Sequence, residues 1–101
     1  GITVGDLHLD LLTRVVTRAD NKIDLQPREF SVLEYLARNA GRVVSKTMIL
    51  EHVWDMNYEG MSNIVNVYLN HLRKKIDGDS DHKLIRTLRG QGYCLDDDST
   101  P

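Results

Sequence analysis

The sequence predicts an α+β fold in which an N-terminal antiparallel β-sheet is followed by three helices and a C-terminal β-hairpin. The first quarter of the chain contains short alternating or β-branched apolar runs, separated by turn residues. From Pro27 to Ile76, apolar residues recur at spacings of three and four. Near the C-terminus, two strand-like runs flank a segment with two glycines. The 101 residues suffice for one domain with a single core.

Short strands fill the first 25 residues. The runs with the alternating or β-branched composition of strands are residues 2–4, 7–11, 14–18 and 23–25. Gly5 and Asp6 predict the first turn, and residues 19–22 favour a hairpin turn before the last run. We therefore expect an antiparallel sheet of three or four strands.

Three helices should follow the sheet. Pro27 suits the first turn of a helix, whose apolar side chains then share one face, and residues 39–41 end it with a glycine. Ser45 is a good N-cap for a second helix. Ser62 or Asn63 can cap a third, which runs to Ile76.

Composition and charge limit the possible functions. The net charge of −2 neither supports nor excludes a nucleic-acid partner, but residues 42–95 contain eight Lys and Arg against six Asp and Glu. No apolar run approaches the ~18 residues of a membrane-spanning helix. The single cysteine, Cys94, cannot form an internal disulfide, which fits the reducing cytoplasm where we expect the protein.

The third predicted helix has two chemically different faces. At ~100° per residue, its apolar side chains collect in an arc of roughly 140°. The remaining face is formed by Asn63, Asn66, Val67, Asn70, His71, Arg73 and Lys74. This face contains no carboxylate, whereas an ordinary solvated helix face mixes Lys with Glu.

Such a face suits the edges of DNA bases. Asparagine amides donate and accept together at an adenine edge, arginine binds guanine or phosphate, and an isolated apolar group can meet a thymine methyl. A carboxylate would repel the phosphates unless it contacted a cytosine. Three consecutive cations, Arg73 to Lys75, supply attraction to the backbone at the end of the helix.

The predicted hairpin adds a second candidate contact. Arg89 stands at its tip beside Gly90, and Thr87 precedes it. An arginine on a narrow projecting turn fits a minor groove, where negative potential is concentrated. The alternative is a solvated arginine on a surface turn, which is common.

At this point the sequence resembles the effector domain of OmpR/PhoB-type response regulators. The resemblance covers nearly the whole chain, and its landmarks occur in the family's order. They are LQPREF at residues 25–30, LEYL at 33–36, HVW at 52–54, VNVYLNHLRKKI at 65–76 and IRTLRGQGY at 85–93.

The resemblance implies a winged helix-turn-helix that spans residues 1–101, with an N-terminal receiver domain absent from this chain. A sensor histidine kinase would act through that receiver. Two effector domains, each monomeric in isolation, would bind direct repeats of promoter DNA. The third helix would enter the major groove and the hairpin, or wing, at residues 84–95 the minor groove. No catalytic activity or cofactor is expected.

The resemblance also assigns roles to particular residues. The seven residues of the carboxylate-free face would contact DNA, together with Thr87, Arg89 and Tyr93 of the wing, and Trp54 would contact a phosphate. The loop before the third helix contacts RNA polymerase in some members, and here it contains Asp55, Met56, Asn57, Tyr58, Glu59 and Gly60. Family members usually carry Asp at the position of Asn66 and Arg or Ser at those of Asn70 and His71. We therefore expect this helix to prefer its own DNA sequence.

Other functions fit the sequence less well. The four histidines and Cys94 have no ligand-like spacing, and no hydrolase or nucleotide-binding motif occurs, so an enzyme is the weakest hypothesis. A winged helix can also serve as a protein-interaction module, for which acids or a broad apolar patch on the third helix would be expected. A membrane-anchored activator with a similar effector domain would need a spanning helix after the wing; this chain ends within a few residues of the wing, and in a longer protein such a helix could follow, so this alternative stays open.

Overall fold

The computed structural model describes residues 1–54, 62–78 and 80–97. The elements are β1 (Ile2–Val4), β2 (Leu7–Leu9), β3 (Val16–Arg18), β4 (Asn21–Ile23), α1 (Pro27–Arg38), α2 (Lys46–Trp54), α3 (Ser62–Ile76), β5 (Ile85–Leu88) and β6 (Gly92–Leu95). The predicted α+β class and the predicted order of sheet, three helices and hairpin are confirmed.

The N-terminal sheet is a four-stranded antiparallel meander in the order β1-β2-β3-β4. Leu7 and Leu9 of β2 are buried while His8 between them is exposed, as alternation predicts. Strand β2 ends before the predicted Leu11 because the Asp10 carboxylate accepts hydrogen bonds from the backbone N–H groups that follow, at 2.9 and 3.1 Å. Arg14 then has a φ of +62°, and β3 begins two residues later.

Helix α1 packs against this sheet, and the three helices pack against one another. Helix α1 begins at Pro27 and ends at Arg38, as predicted. The backbone N–H of Gln26 donates to the Glu29 carboxylate at 2.7 Å, which closes the N-terminus of the helix. Ser45 caps α2 as expected, since its Oγ accepts a hydrogen bond from the backbone N–H of Met48 at 3.1 Å.

Strands β5 and β6 form the C-terminal hairpin, which we call the wing. Their register pairs Thr87 with Tyr93 and Leu88 with Gly92. The wing is attached to the helical core through Val44, whose N–H and C=O each exchange a 2.8 Å hydrogen bond with the backbone of Tyr93. The connector before α2 therefore pairs with β6 through a single residue, Val44, on the side of β6 opposite β5.

A buried ion pair joins the sheet to the helices and to the wing. Arg18 of β3 donates to the Asp77 carboxylate and to the Ile76 carbonyl, each at 2.7 Å, and its guanidinium also contacts the His82 carbonyl. Asp77 in turn accepts the backbone N–H groups of Leu84 and Ile85 at 3.0 Å. Both side chains are about 95% buried, at 6% and 5% exposure. This network fixes the end of α3 relative to the start of the wing.

Candidate nucleic-acid interface

Helix α3 buries one face and exposes the other, as its periodicity predicts. Val65, Leu69, Leu72 and Ile76 are 0–3% exposed. Of the seven predicted contact residues on α3, five are exposed: Asn63, Val67, Asn70, His71 and Lys74. Asn66 and Arg73 are only half-buried, because they lie on the side of the helix that faces the wing.

Helix α3 and the wing enclose an open groove of about 680 Å³, which we call the helix–wing groove. It brings together six of the predicted contact residues: Asn66, Asn70, Arg73, Thr87, Arg89 and Tyr93. None of the described residues that line it carries a carboxylate. The groove is therefore a cationic and amide-rich concavity between an exposed helix face and a projecting hairpin.

Polar contacts connect the two walls of this groove. The Tyr93 hydroxyl donates to Asn66 Oδ1 at 2.5 Å. The Arg73 guanidinium donates to Thr87 Oγ1, and its Cζ lies 5.5 Å from the centre of the Tyr93 ring. Side chains predicted as separate DNA contacts thus contact one another in the free chain.

A buried carboxylate lies beneath the other side of α3. Glu29 of α1 is 1% exposed and pairs with Lys75 Nζ at 2.7 Å, while His71 Nδ1 lies 3.9 Å from its second oxygen. Burial alone would raise the pKa of Glu29, but the Lys75 hydrogen bond, the Gln26 N–H and the nearby positive charges together lower it. Lys75 is therefore paired with Glu29, although its side chain is still exposed, and Lys74 beside it is exposed as well.

Trp54 lies outside the helix–wing groove, at the last residue of α2. Its ring meets Tyr68 edge-on with centroids 5.2 Å apart, and the Arg28 guanidinium lies 5.1 Å from the indole. Arg28 also donates to the Val53 carbonyl at 2.6 Å. The predicted polymerase-contact residues Asp55, Met56, Asn57, Tyr58, Glu59 and Gly60 lie outside the described residues.

Several residues that line these concavities were not among the predicted contact residues. Ser45, Lys46 and Gln91 line the helix–wing groove, and Lys83 joins Arg73 and Lys74 around a second concavity of about 330 Å³. Lys46 lies in the first turn of a capped helix, a signal visible in the sequence. Lys46 lies close to the wing because Val44 pairs with Tyr93, and the local sequence does not indicate this long-range pairing.

Metal-binding groups and membrane-spanning helices are absent from the described residues. Within residues 1–54, 62–78 and 80–97, His, Cys, Asp and Glu side chains form no group of three or more placed to hold a metal ion. Across the same part of the chain, none of the helices has the length and apolarity needed to cross a membrane. Cys94 is buried and unpaired.

Comparison with known proteins identifies the family. Residues 20–95, three-quarters of the chain, match the family model described as "Transcriptional regulatory protein, C terminal". The chain belongs to this family. The matched segment contains all three helices and the wing, and therefore every wall of the helix–wing groove.

Relatives within the family are similar over nearly the whole chain. The chain is 44% identical over 93 residues to the transcriptional regulatory protein CusR of Escherichia coli, covering 92% of this chain and 41% of CusR. It is 46% identical over 94 residues to TrcR of Mycobacterium tuberculosis, covering 93% of this chain and 36% of TrcR. The chain thus spans about two-fifths of the length of these relatives.

Solved structures of family members share the fold. The DNA-binding domain of Klebsiella pneumoniae RstA, in complex with the RstA box, has a TM-score of 0.85 and 30% identity over 94% of this chain and 95% of that one. The DNA-binding domain of E. coli CpxR gives a TM-score of 0.81 and 26% identity, with 93% of each chain covered. The winged-helix class expected from the sequence is therefore confirmed.

Proposed function

We propose that this chain is the effector domain of a two-component response regulator and that it controls transcription by binding double-stranded promoter DNA sequence-specifically. The observation that carries the proposal is the helix–wing groove, where six predicted contact residues meet without a carboxylate. Amides and other hydrogen-bond donors can bind base edges, and cations can bind phosphates; a surface without carboxylates does not repel those phosphates. The similarity to RstA, whose DNA-binding domain has been solved with the RstA box, supports it.

In this proposal α3 enters the major groove and the wing the minor groove. The exposed Asn63, Val67, Asn70 and His71 would face base edges, and Lys74 would contact phosphate. Arg89, exposed at the wing tip, would enter the adjacent minor groove. Asn70 and His71 would give this protein a base preference distinct from that of relatives with Arg or Ser there.

The remaining partners follow from the family. A receiver domain in the full protein would be phosphorylated by a sensor histidine kinase, and two effector domains would then occupy direct repeats on DNA. The segment from Trp54 to Ser62 would contact RNA polymerase. The protein would act in the cytoplasm, where promoter DNA and polymerase are found.

Salt-dependent binding to selected DNA tests the proposal. We would enrich random oligonucleotides on the isolated domain and measure the Kd of the selected duplex between about 50 and 200 mM salt. The logarithm of the affinity should fall linearly with the logarithm of the salt concentration, with a slope of about 0.9 per neutralised phosphate. Affinity that does not change with salt, or a selection that enriches no sequence, would contradict the proposal.

A matched pair of lysine variants sharpens this experiment. Lys74→Ala should weaken binding to all sequences and lower the salt slope by about 1. Lys22→Ala removes an equal charge from the exposed edge strand β4 of the N-terminal sheet and should leave the slope unchanged. Equal effects of the two variants would indicate attraction by overall charge rather than by this surface.

A further inference from the structure

The hydroxyl of Tyr93 meets the side-chain oxygen of Asn66 inside the helix–wing groove, at 2.5 Å. Asn66 belongs to α3, whereas Tyr93 belongs to β6, so the hydrogen bond crosses from one wall of the groove to the other. Within the described part of the chain, it is the one hydrogen bond of the Asn66 side chain. The amide oxygen of Asn66 is thus engaged, and its NH₂ group is left to donate.

Tyr93 is held firmly enough to orient another side chain. It is 4% exposed and lies opposite Thr87 in the ladder of the wing. Its backbone N–H and C=O both bond to Val44 at 2.8 Å, which ties it to the helical core. The guanidinium of Arg73 lies over its ring. The position of the hydroxyl is therefore set by backbone contacts on both sides of β6.

The hydroxyl also remains a donor. Burial raises the pKa of Tyr93 above its ordinary value of 10.0, and the positive charge of Arg73 only partly opposes this rise. Tyr93 thus keeps its proton throughout the physiological range. A neutral tyrosine that donates to the amide oxygen favours the Asn66 rotamer in which that oxygen points away from open space.

The orientation of an asparagine amide decides which base it prefers. Adenine is bound by both groups at once, because the oxygen accepts from N6 while the NH₂ donates to N7. When only the NH₂ group of the asparagine is available, adenine offers it one acceptor, N7, next to the N6 amino group, which is itself a donor. Guanine offers two adjacent acceptors, N7 and O6.

We infer that Tyr93 is a positioning residue for base recognition, which turns Asn66 into a hydrogen-bond donor and makes it select guanine over adenine in the major groove. The inference rests on the proposed function, since it requires α3 to lie in that groove. It gives the wing a second role, because a residue of the wing then sets the specificity of the helix.

The test is a random-oligonucleotide selection with the isolated domain, in the wild type and in Tyr93→Phe. The phenylalanine keeps the ring, its packing and its contact with Arg73, and removes only the hydroxyl. At one position of each half-site, the ratio of guanine to adenine should shift about fivefold towards adenine, because the freed amide can make the two-point contact. Preferences at the other positions should be unchanged.

Asn66→Asp identifies the affected position independently. An aspartate still accepts from the Tyr93 hydroxyl but presents an oxygen where the NH₂ was. It should therefore move the preference at the same position towards cytosine, whose N4 is a donor. Tyr35→Phe is the matched control, since Tyr35 stacks on His52 away from the groove, with ring centroids 4.3 Å apart. That variant should select the wild-type sequence.

The outcomes separate this inference from the proposed function. If the wild type enriches a sequence and Tyr93→Phe enriches the same one, the inference is overturned while DNA binding stands. If Tyr93→Phe loses all preferences together and melts at lower temperature, Tyr93 serves folding and the inference fails as well. If the wild type enriches no sequence, both fail. Only a change confined to the position that Asn66→Asp also changes supports the inference.

Discussion

Arg89 differs from the predicted contact residues whose side chains contact one another across the helix–wing groove. It is exposed at the wing tip, next to Gly90, whose φ of +72° forms the turn. In contrast to Arg73, it has no partner among the hydrogen bonds and ion pairs of the described residues. Its guanidinium is therefore available to a ligand without breaking a contact within the chain.

Arg89→Ala should weaken DNA binding about five- to tenfold and lower the salt slope by about 1, because one contact with the concentrated negative potential of the minor groove is lost. Footprinting titrations measure the affinity. Arg38→Ala is the control, because Arg38 is also exposed but lies on α1, paired with Glu34 at 2.9 Å. Unchanged affinity in Arg89→Ala would refute the wing assignment.

The buried carboxylate of Glu29 makes stability depend on pH. Although burial opposes its ionisation, Lys75, the Gln26 N–H and the neighbouring charges hold its pKa below the ordinary value of 4.5. A carboxylate with a lowered folded-state pKa stabilises the fold above its unfolded pKa. That contribution is lost as the pH falls through the folded value.

Thermal unfolding between about pH 7 and pH 3 checks this behaviour. The Tm of the wild type should be constant near neutrality and should fall below pH 4.5. Glu29→Gln keeps the helix cap but removes the charge, so its Tm should be lower at pH 7 and should fall less on acidification. Parallel curves for the two proteins would mean that other carboxylates cause the acid sensitivity.

At the residue scale, the helical periodicity predicted which side chains of α3 are exposed, but not which other side chains they contact. Burial of Val65 and Leu69 and exposure of Asn70 follow from the 3.6-residue repeat and are confirmed. The Tyr93–Asn66 hydrogen bond joins positions 27 apart and was not predictable, since it depends on where the wing returns. That these side chains contact DNA stays a prediction.

Among the elements, the helices were predicted better than the strands. Helix α1 begins and ends where Pro27 and the segment 39–41 indicated, because local caps define its ends. Strands β2 and β3 are shorter than their apolar runs. The hydrogen bonds of the Asp10 side chain and the positive φ of Arg14 bend the chain there. Apolar alternation alone does not contain that information.

The wing depends on two glycines that are not equivalent. Gly92 has a φ of +143°, and a Cβ on it would lie 2.0 Å from the Val44 carbonyl oxygen. Gly90 has a φ of +72°, but a Cβ there would meet nothing within 4 Å. Gly92 therefore allows the wing to approach the core, whereas Gly90 only shapes the turn.

Gly90→Ala should cost about 1–2 kcal/mol, the ordinary strain of a left-handed residue. Gly92→Ala should cost clearly more, because the backbone must also separate from Val44. Urea unfolding measures both free energies, and amide hydrogen exchange at Tyr93 should become faster in Gly92→Ala alone. Similar costs and similar exchange in the two variants would show that the close approach is unimportant.

For the molecule as a whole, the Arg18–Asp77 pair is the main polar connection between sheet, helix and wing. Asp77→Ala would remove the buried carboxylate partner of Arg18, leaving the half-exposed Asp6 as its remaining carboxylate, and would orphan the two backbone N–H groups that Asp77 accepts. Removal of one member of a buried ion pair typically costs about 3–5 kcal/mol. For a domain of this size, that is a large part of the total stability.

Urea denaturation of Asp77→Ala should therefore give a much lower midpoint than the wild type. Asp24→Ala is the control, since Asp24 is an exposed aspartate just after β4, and its loss should change the midpoint little. If the two variants unfold at the same urea concentration, the buried network contributes little to stability.

The contacts of Arg18 also constrain the order of events during synthesis. Its hydrogen bonds to the Ile76, Asp77 and His82 backbone or side chains span 58 to 64 residues. A nascent chain on the ribosome contains β3 long before it contains these acceptors. Until residues 76–82 emerge, the Arg18 guanidinium can pair only with the Asp6 carboxylate, which it contacts at 2.9 Å in the folded chain, so the helix–wing groove forms after the N-terminal sheet. Incomplete chains would therefore lack the assembled helix–wing groove.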